Sequence, residues 1–465
     1  MTRPNILWYC TDQQRFDTIG ALGNAYVKTP VVDALVAEGV AFTHAYCQSP
    51  ICTPSRASFM SGLYPSRLHN TRNGNDTFPD WPPLISKLIA ESGYLCGLIG
   101  KFHLVSAGHR AEPRLDDGFT VWQHSHAPRD DWPAGTHDYA DWVRAQGKSL
   151  DDMRNSKENV DPEYHQTKWA SDRAIEFIEQ DHQQPWLLNI NVYDPHPPFT
   201  PPEKYAKMFD PAAMPGPHFE ESDKATQELL SRVDFQPVTM STEISELKKV
   251  QALYYAMIAQ IDDQFARILS VLDSTGQRDN TVIIFTSDHG ETLGDHGLVQ
   301  KGCRFYEGLI RVPLIFSWPG HFVTNQRATG LVELLDLSAT LLDLTGIPIP
   351  GYHQGQSLLP VLTGEQTGAQ IRESVRCEYF DALDPFFTGG EGSFATMYRD
   401  ARYKLSLYHD KNLGELYDLQ TDPWEHNNLW NDPDHQAAKH ELILASFNSH
   451  VVLTTDVGSK RIAPM

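Results

Sequence analysis

Polar side chains that can bind a metal or transfer a proton follow four short apolar runs of this sequence. The four pairs are Asp12 and Gln13, Lys101 and His103, Asp194 and His196, and Asp288 and His289. Ligands bind at the carboxyl ends of the strands in open α/β sheets, so these side chains should meet at one edge of a sheet. Each pair alone has an alternative role as helix caps or turn residues. The four pairs together predict an active site.

Two of these pairs form a candidate metal site. Asp12, Gln13, Asp288 and His289 supply three oxygen donors and one imidazole. This hard donor set suits Ca²⁺, Mg²⁺ or Mn²⁺ better than a metal that prefers thiolates. We expect a single divalent ion, with calcium as the first choice. The alternative is that Asp288 and His289 only cap the segment that begins at Gly290, with Asp12 and Gln13 as turn residues.

The segment Cys52-Thr-Pro-Ser-Arg56 precedes a helical pattern that starts at about Ser55. Cys52 is therefore expected beside a helix N-terminus, where the helix dipole and unpaired N–H groups favour an anionic nucleophile or a bound anion. From the residues alone, Cys52 is either a thiolate nucleophile or a buried thiol. The remaining cysteines lack metal-knuckle spacing, and we interpret them as buried small apolar residues. They are Cys10, Cys47, Cys96, Cys303 and Cys377.

The elements that would position these residues are strands alternating with helices. Apolar runs predict buried strands at residues 5–9, 94–99, 186–192, 281–286 and 313–317. Apolar spacing of three and four residues predicts helices at residues 82–92, 169–179, 243–272 and 333–344. This alternation predicts an α/β fold with a large, mostly parallel sheet between layers of helices.

Irregular and polar stretches suggest how the chain is divided. Residues 107–156 and 194–242 are expected to form loops over the sheet edge, near the site. Residues 346–351 break the last long helical pattern, and short polar runs at 403–408 and 415–419 follow. We predict a catalytic α/β domain over residues 1–350 and a smaller C-terminal α+β domain over residues 351–465.

Charge and hydropathy exclude some partners. The 465 residues include 38 Lys and Arg against 60 Asp and Glu, a net charge of −22. Nucleic acid and anionic membrane surfaces are therefore not expected as partners. No apolar run approaches the roughly 20 residues that span a bilayer, and no export signal is visible, so we expect a cytoplasmic protein. An anionic substrate would require cationic side chains within the site.

The segment at Cys52 resembles the sulfatase family, in which Cys-x-Pro-Ser-Arg directs oxidation of the cysteine to formylglycine. Other segments look like family motifs and occur in the family's order. They are Asp12-Gln13-Gln14-Arg15, Gly100-Lys101-Phe102-His103, Asp194-Pro195-His196, Ser287-Asp288-His289-Gly290 and Lys301, followed by a weaker similarity over residues 415–429. Many members have Asp-Asp in place of Asp12-Gln13, Asp-Asn in place of Asp288-His289, and Trp in place of Phe102.

The resemblance implies an alkaline-phosphatase-like fold and hydrolysis of a sulfate monoester. A maturation enzyme would convert Cys52 to formylglycine, and the modified residue would join the ligands of the divalent metal. One hydroxyl of the hydrated aldehyde would attack sulfur, and His103 would take the proton of the second hydroxyl to expel sulfate. The resemblance implies that the charge of the sulfate oxygens is neutralised, and the leaving oxygen protonated, by Lys101, His196 and Lys301. It implies that Arg56 holds the nucleophile.

Two other functions fit the same residues. A phosphonate monoester or phosphodiester hydrolase would place similar demands on the site, although Lys101 with His103 favours a sulfatase. A non-catalytic binder of sulfated sugars would keep Cys52 unmodified. The alcohol that carries the sulfate, whether a small molecule, an oligosaccharide or an aryl group, is not defined. Candidate pocket residues are Arg72, Asn75, His124, His126, Arg129 and Trp132.

Overall fold

The first apolar run of the chain becomes the central strand of a nine-stranded sheet in the computed structural model, which describes residues 3–155, 160–236, 243–384 and 392–455. The strands of this sheet are β1 (Asn5–Asp12), β2 (Val40–Tyr46), β3 (Leu95–Gly100), β4 (Val121–His124), β5 (Trp186–Pro195), β6 (Thr281–Ser287), β7 (Arg311–Val312), β8 (Leu314–Ser317) and β9 (Gln326–Glu333). Their order is β4-β3-β5-β1-β6-β8-β2-β7, with β9 paired to β2.

Most strand pairs of this sheet are parallel. β4, β3, β5, β1 and β6 are parallel to one another, and β2 is parallel to β9. β8 pairs antiparallel with β6 and β2, and β7 pairs antiparallel with β2. Every residue of β1, β5 and β6 is buried, which is typical of strands covered by helices on both faces. The predicted fold class and all five predicted strands are therefore confirmed, with shifts of a few residues at their ends.

Helices cover both faces of the sheet. In chain order they are α1 (Pro30–Glu38), α2 (Cys52–Ser61), α3 (Pro65–Leu68), α4 (Ile85–Glu91), α5 (Asp138–Ala145), α6 (Leu150–Asn155), α7 (Gln166–Ile178), α8 (Glu203–Ala206), α9 (Glu221–Leu229), α10 (Ile244–Ser274), α11 (Glu307–Ile310), α12 (Leu335–Thr345), α13 (Leu359–Leu362) and α14 (Gln436–Thr454). The four predicted helices correspond to α4, α7, α10 and α12.

The predicted start of α2 was wrong, and the difference changes the position of Cys52. Helix α2 begins at Cys52 rather than at about Ser55, with Ile51 in an extended conformation before it. Pro54 does not prevent this, because the first turn of a helix leaves its N–H groups without intrahelical partners. Cys52 is thus the first residue of a helix.

Segments with mixed polarity contain elements that the sequence did not reveal. β2 carries the half-buried Thr43 and His44, and β9 begins with polar residues, so neither reads as an apolar run. The irregular stretch at 107–156 includes the edge strand β4, and the stretch at 194–242 includes α8 and α9. Residues 156 and 237–242 of these stretches lie outside the described residues.

The C-terminal part forms a second, antiparallel sheet. Its strands are β10 (Val375–Phe380), β11 (Phe394–Arg399), β12 (Tyr403–Tyr408) and β13 (Leu413–Asp418), in that order. The predicted run at 403–408 is β12, and that at 415–419 overlaps β13. Val375 and Met397 of this sheet share a core with Ile310 and Leu337 of the first part. The domain boundary between residues 350 and 351 stays a prediction. No helix within the described ranges is long and apolar enough to cross a membrane.

Candidate active site

The carboxyl ends of β1 and β6 bring two acidic residues together. These strands are parallel neighbours in which Thr11 pairs with Ser287, so Asp12 and Asp288 emerge side by side. Both carboxylates are fully buried. Two anionic groups so close together in the interior require compensating positive charge.

Arg56 supplies part of that charge from the first turns of α2. Its Nε lies 2.8 Å from Oδ2 of Asp288, and its Nη2 lies 3.2 Å from Oδ2 of Asp12. The third guanidinium nitrogen, Nη1, donates to the Lys101 carbonyl at 2.9 Å. A single buried side chain therefore joins three strand ends to the helix that begins with Cys52.

Lys101 enters the cluster from the end of β3. A side chain at Gly100 would meet the Asn191 carbonyl oxygen at 1.9 Å, and its φ is +108°, so this turn requires glycine. The Lys101 ammonium lies 2.5 Å from Asp12 and 5.4 Å from the centre of the Tyr193 ring. Although burial opposes it, the positive charge of Lys101 and its neighbours holds the pKa of Asp12 well below its usual range.

Four side chains direct possible metal-binding atoms to one point. The ligand atoms of Asp12, Cys52, Asp288 and His289 all lie within 4.8 Å of one another. His289 places Nδ1 at 2.8 Å from the Gly290 carbonyl, which makes Nδ1 the donor and leaves the Nε2 lone pair available. Metal-binding histidines are commonly oriented in this manner.

Gln13 completes the predicted donor set. Its side-chain amide donates to the buried Glu291 carboxylate, so its Oε1 faces the cluster. Lys301 Nζ lies 2.9 Å from this oxygen, 3.2 Å from His289 Nε2 and 2.8 Å from Cys52 Sγ. The predicted ligands thus already accept hydrogen bonds from a cation, and this mixture of oxygen and nitrogen donors fits a divalent metal ion.

Cys52 lies at the centre of these groups. Its sulfur is 3.1 Å from His289 Nε2 and 3.8 Å from Oδ1 of Asp12, and the residue is 1% exposed. Burial and Asp12 raise the thiol pKa, but the ammonium groups of Lys101 and Lys301, together with the adjacent His289, outweigh them and lower it to about 7. By contrast, burial raises the pKa of Cys10 and Cys96, and all five remaining cysteines are buried as predicted.

The two other predicted histidines differ in their surroundings. His103 is buried, and its Nδ1 has no hydrogen-bond partner within the described part of the chain. Burial and the charges of Lys101 and Arg56 hold its pKa well below the usual range, so the ring is neutral. His196 is half-buried at the rim, with Nδ1 at 2.7 Å from the Pro197 carbonyl and its ring 4.6 Å from that of Tyr193.

Of the candidate pocket residues, His126 contacts His103 of this cluster. Its ring is perpendicular to that of His103, with the ring centres 4.5 Å apart. Others make structural contacts: Arg72 pairs with Asp381, and the Trp132 indole donates to the Ala127 carbonyl at 2.9 Å. His124 Nε2 lies 3.1 Å from Glu112.

Two supporting residues were missed by the sequence reasoning. Glu291 orients the Gln13 amide, and Tyr193 lies over the Lys101 ammonium. Glu291 follows Asp288 by three positions. An acidic residue so close to a strand end was the feature of the sequence that could have identified it as part of the site. Asp194 was predicted at the site together with His196. It accepts a hydrogen bond from Thr167 and lies near His165.

Comparisons with known proteins identify the family of this chain. The sequence model described as Sulfatase matches residues 4–347, and that described as N-sulphoglucosamine sulphohydrolase, C-terminal, matches residues 294–447. An arylsulfatase of Clostridium perfringens is 28% identical over 93% of this chain and 92% of its own. The multifunctional alkaline phosphatase superfamily protein PehA of Trinickia caryophylli is 29% identical over 94% and 93% of the two chains.

A solved structure extends the comparison to the fold. The phosphonate monoester hydrolase of Agrobacterium radiobacter has a TM-score of 0.82 and 28% identity, and the match covers 96% of each chain. Fold and site together define a hydrolase of the alkaline-phosphatase-like class. The chain belongs to the sulfatase family and is a sulfuric ester hydrolase.

Proposed function

We propose that this enzyme hydrolyses sulfate monoesters, with Cys52 matured to formylglycine as the nucleophile. The observation that carries the proposal is the position of the Cys52 sulfur, which lies 2.8 Å from Lys301 Nζ and 3.1 Å from His289 Nε2. A nucleophile at this point is adjacent both to candidate metal ligands and to an ammonium group. Conversion of a thiol to an aldehyde is an oxidation, and we assign it to a separate maturation enzyme.

A divalent metal is the second part of the proposal. Asp12, Gln13, Asp288 and His289 would hold it, together with residue 52, and calcium remains our first choice over Mg²⁺ or Mn²⁺. When bound, the ion would supply Lewis acidity to the nucleophile and to a sulfate oxygen. The Glu291 carboxylate and the Gly290 carbonyl would keep Gln13 and His289 oriented toward it.

The cationic side chains are suited to bind the sulfate group. Lys101 and Lys301 are almost fully buried, so their charges act with little screening by water. We assign them to the sulfate oxygens, where fixed positive charge stabilises the transition state. His196 at the rim would protonate the leaving alcohol, whereas Arg56 would hold the nucleophile in place.

His103 is our candidate for the general base. Its low pKa leaves the imidazole neutral at ordinary pH, and its unpartnered Nδ1 shows that hydrogen-bonding capacity remains in the pocket. It would accept the proton of the second hydroxyl of the hydrated aldehyde when sulfate is expelled. As that hydroxyl becomes the carbonyl group, the bond between Cβ and the oxygen that carries sulfur breaks, sulfate leaves with this oxygen, and the aldehyde is restored.

Preference for phosphonate monoesters is the second candidate function. It is favoured by the 28% identity and TM-score of 0.82 to a phosphonate monoester hydrolase. Assays with a phenyl sulfate and a phenyl phosphonate monoester that share one leaving group separate the two functions. We expect kcat/KM to be higher for the sulfate by about tenfold or more, which corresponds to about 1.4 kcal/mol. Faster turnover of the phosphonate would reverse the assignment.

Loss of the metal should abolish activity reversibly. We expect dialysis against a chelator to inactivate the enzyme and calcium to restore it, with Mg²⁺ and Mn²⁺ tested in parallel. Asp288→Asn should lower kcat/KM by about 100-fold or more, because even outer partners of metal ligands contribute about 10- to 100-fold. The exposed residue Asp279 provides the control, and Asp279→Asn should leave kcat/KM unchanged. Full activity of the chelated enzyme would contradict the metal assignment.

A further inference from the structure

A second cluster of metal-binding side chains lies apart from the site at Cys52. Asp223 is near the start of α9, His296 lies in the loop between His289 and Lys301, and His426 follows β13. Their ligand atoms lie within 4.8 Å of one another. His296 Nδ1 is 2.9 Å from Oδ1 of Asp223, and His426 Nδ1 is 3.0 Å from its Oδ2.

The three side chains are held in place by their surroundings. Asp223 and His296 are buried, and the His426 side chain is 15% exposed. The His296 ring stacks on Tyr306 at 3.8 Å, and the backbone N–H of His296 donates to the His218 carbonyl. The backbone N–H of His426 donates to the Asp422 carboxylate at 3.1 Å. Both imidazoles are therefore fixed with Nδ1 directed at the same carboxylate.

We propose that Asp223, His296 and His426 form a binding site for a zinc ion. Two imidazoles and one carboxylate are a common protein ligand set for zinc, with water completing the coordination. Zinc ligands at about 2.0–2.1 Å in tetrahedral geometry stand roughly 3.3 Å apart. The separations of 2.9 and 3.0 Å from Asp223 are a few tenths of an ångström shorter, so small side-chain movements would admit the ion.

Proton occupancy distinguishes this site from a purely hydrogen-bonded triad. In the triad, each imidazole carries a proton on Nδ1 and donates it to Asp223. In the zinc site, both Nδ1 atoms are deprotonated and bind the metal, so zinc binding moves the proton of each neutral ring to Nε2. The exposed side of His426 provides the access route for zinc and water.

The position of the cluster gives the ion a structural role. Asp288, His289 and Lys301 lie on the same loop as His296, whereas His426 belongs to the C-terminal part of the chain. Zinc would therefore fasten the loop of the candidate active site to α9 and to the segment after β13. This role does not depend on the reaction proposed for Cys52.

Zinc stoichiometry and thermal stability test the proposal. The full-length protein is stripped with a chelator, equilibrated with zinc and measured by elemental mass spectrometry. The Asp288→Asn variant, in which the first metal site is impaired, should retain one zinc per chain. Adding His426→Ala to it should remove that zinc and the rise in Tm that zinc produces. The exposed residue His440 on α14 provides the matched control, and His440→Ala should change neither.

His426→Gln is the control for misfolding, because glutamine can still donate a hydrogen bond to Asp223. We expect this variant to fold and to lack the zinc. Equal zinc content with and without the His426 substitutions, with equal shifts in Tm, would overturn the proposal and leave a hydrogen-bonded triad.

Discussion

The Cys52→Ala variant is expected to lose turnover of sulfate monoesters by at least ~10⁴-fold, since removal of a nucleophile from a hydrolase can cost about 10⁶-fold in kcat. The physical reason is that the groups around the Cys52 sulfur, including Lys301 at 2.8 Å, would have no reacting atom to act on. The quantities to measure are kcat with an aryl sulfate and the Tm of the variant. A Tm close to that of the parent would exclude misfolding as the cause.

Cys52→Ser separates the aldehyde from a simple hydroxyl nucleophile. Serine has one hydroxyl and cannot form a diol, so it cannot expel sulfate by the route that restores the aldehyde. We expect it to be as inactive in turnover as Cys52→Ala. A matched control is Cys96→Ser, since Cys96 Sγ lies 3.6 Å from the Ser86 carbonyl and a hydroxyl can keep that contact. This control should remain fully active.

Mass spectrometry of the peptide that contains Cys52 provides the direct measurement. Protein from the native host should carry an aldehyde in place of the thiol. An unmodified thiol in fully active protein would refute the formylglycine mechanism and return Cys52 to the role of a thiolate nucleophile. The same thiol in inactive protein with intact metal ligands would favour the non-catalytic binder of sulfated sugars.

Arg56→Leu is expected to damage both stability and catalysis. Removing one partner of a buried ion pair typically costs about 3–5 kcal/mol, and Arg56 pairs with both Asp12 and Asp288. Loss of one preorganised hydrogen-bond donor from a catalytic site costs about 10²- to 10³-fold in kcat. Urea unfolding and kcat/KM should therefore both change, whereas the same substitution at the exposed Arg232 should change neither.

Arg56→Lys shows which part of the effect is charge and which is geometry. Lysine keeps the positive charge, but its single nitrogen cannot replace three guanidinium contacts at 2.8, 3.2 and 2.9 Å. We expect stability between that of the parent and Arg56→Leu, with activity close to that of Arg56→Leu. Parent-like activity of Arg56→Lys would show that the contacts to the strand ends are dispensable.

The sequence predicted the centre of the fold and of the candidate site for one reason. The central strands are buried on both faces, so they read as apolar runs, and the polar residues at their ends stand out. The strands β2, β4 and β9 escaped prediction because they lie nearer the sheet edge or carry half-exposed polar residues. Their burial depends on neighbours that only the folded chain supplies.

Contacts between distant segments also could not be predicted from the sequence. The orientation of Gln13 depends on Glu291, and the environment of His103 depends on His126, which arrives through the segment around β4. The cluster of Asp223 and His426 joins residues 203 positions apart. No local pattern marks such pairs, since each residue alone is typical of a turn or a helix end.

The complete burial of α2 has a consequence for how the enzyme is made. All ten residues of this helix are buried, including the nucleophile position itself. Under the formylglycine proposal, a maturation enzyme would have to bind the chain around Cys52, so it could not act once this helix is enclosed. Maturation would therefore compete in time with folding, and a chain that folds first would keep an unmodified thiol. The fraction of chains with a matured Cys52 would then be set during synthesis in the cell, not by later treatment of the folded protein.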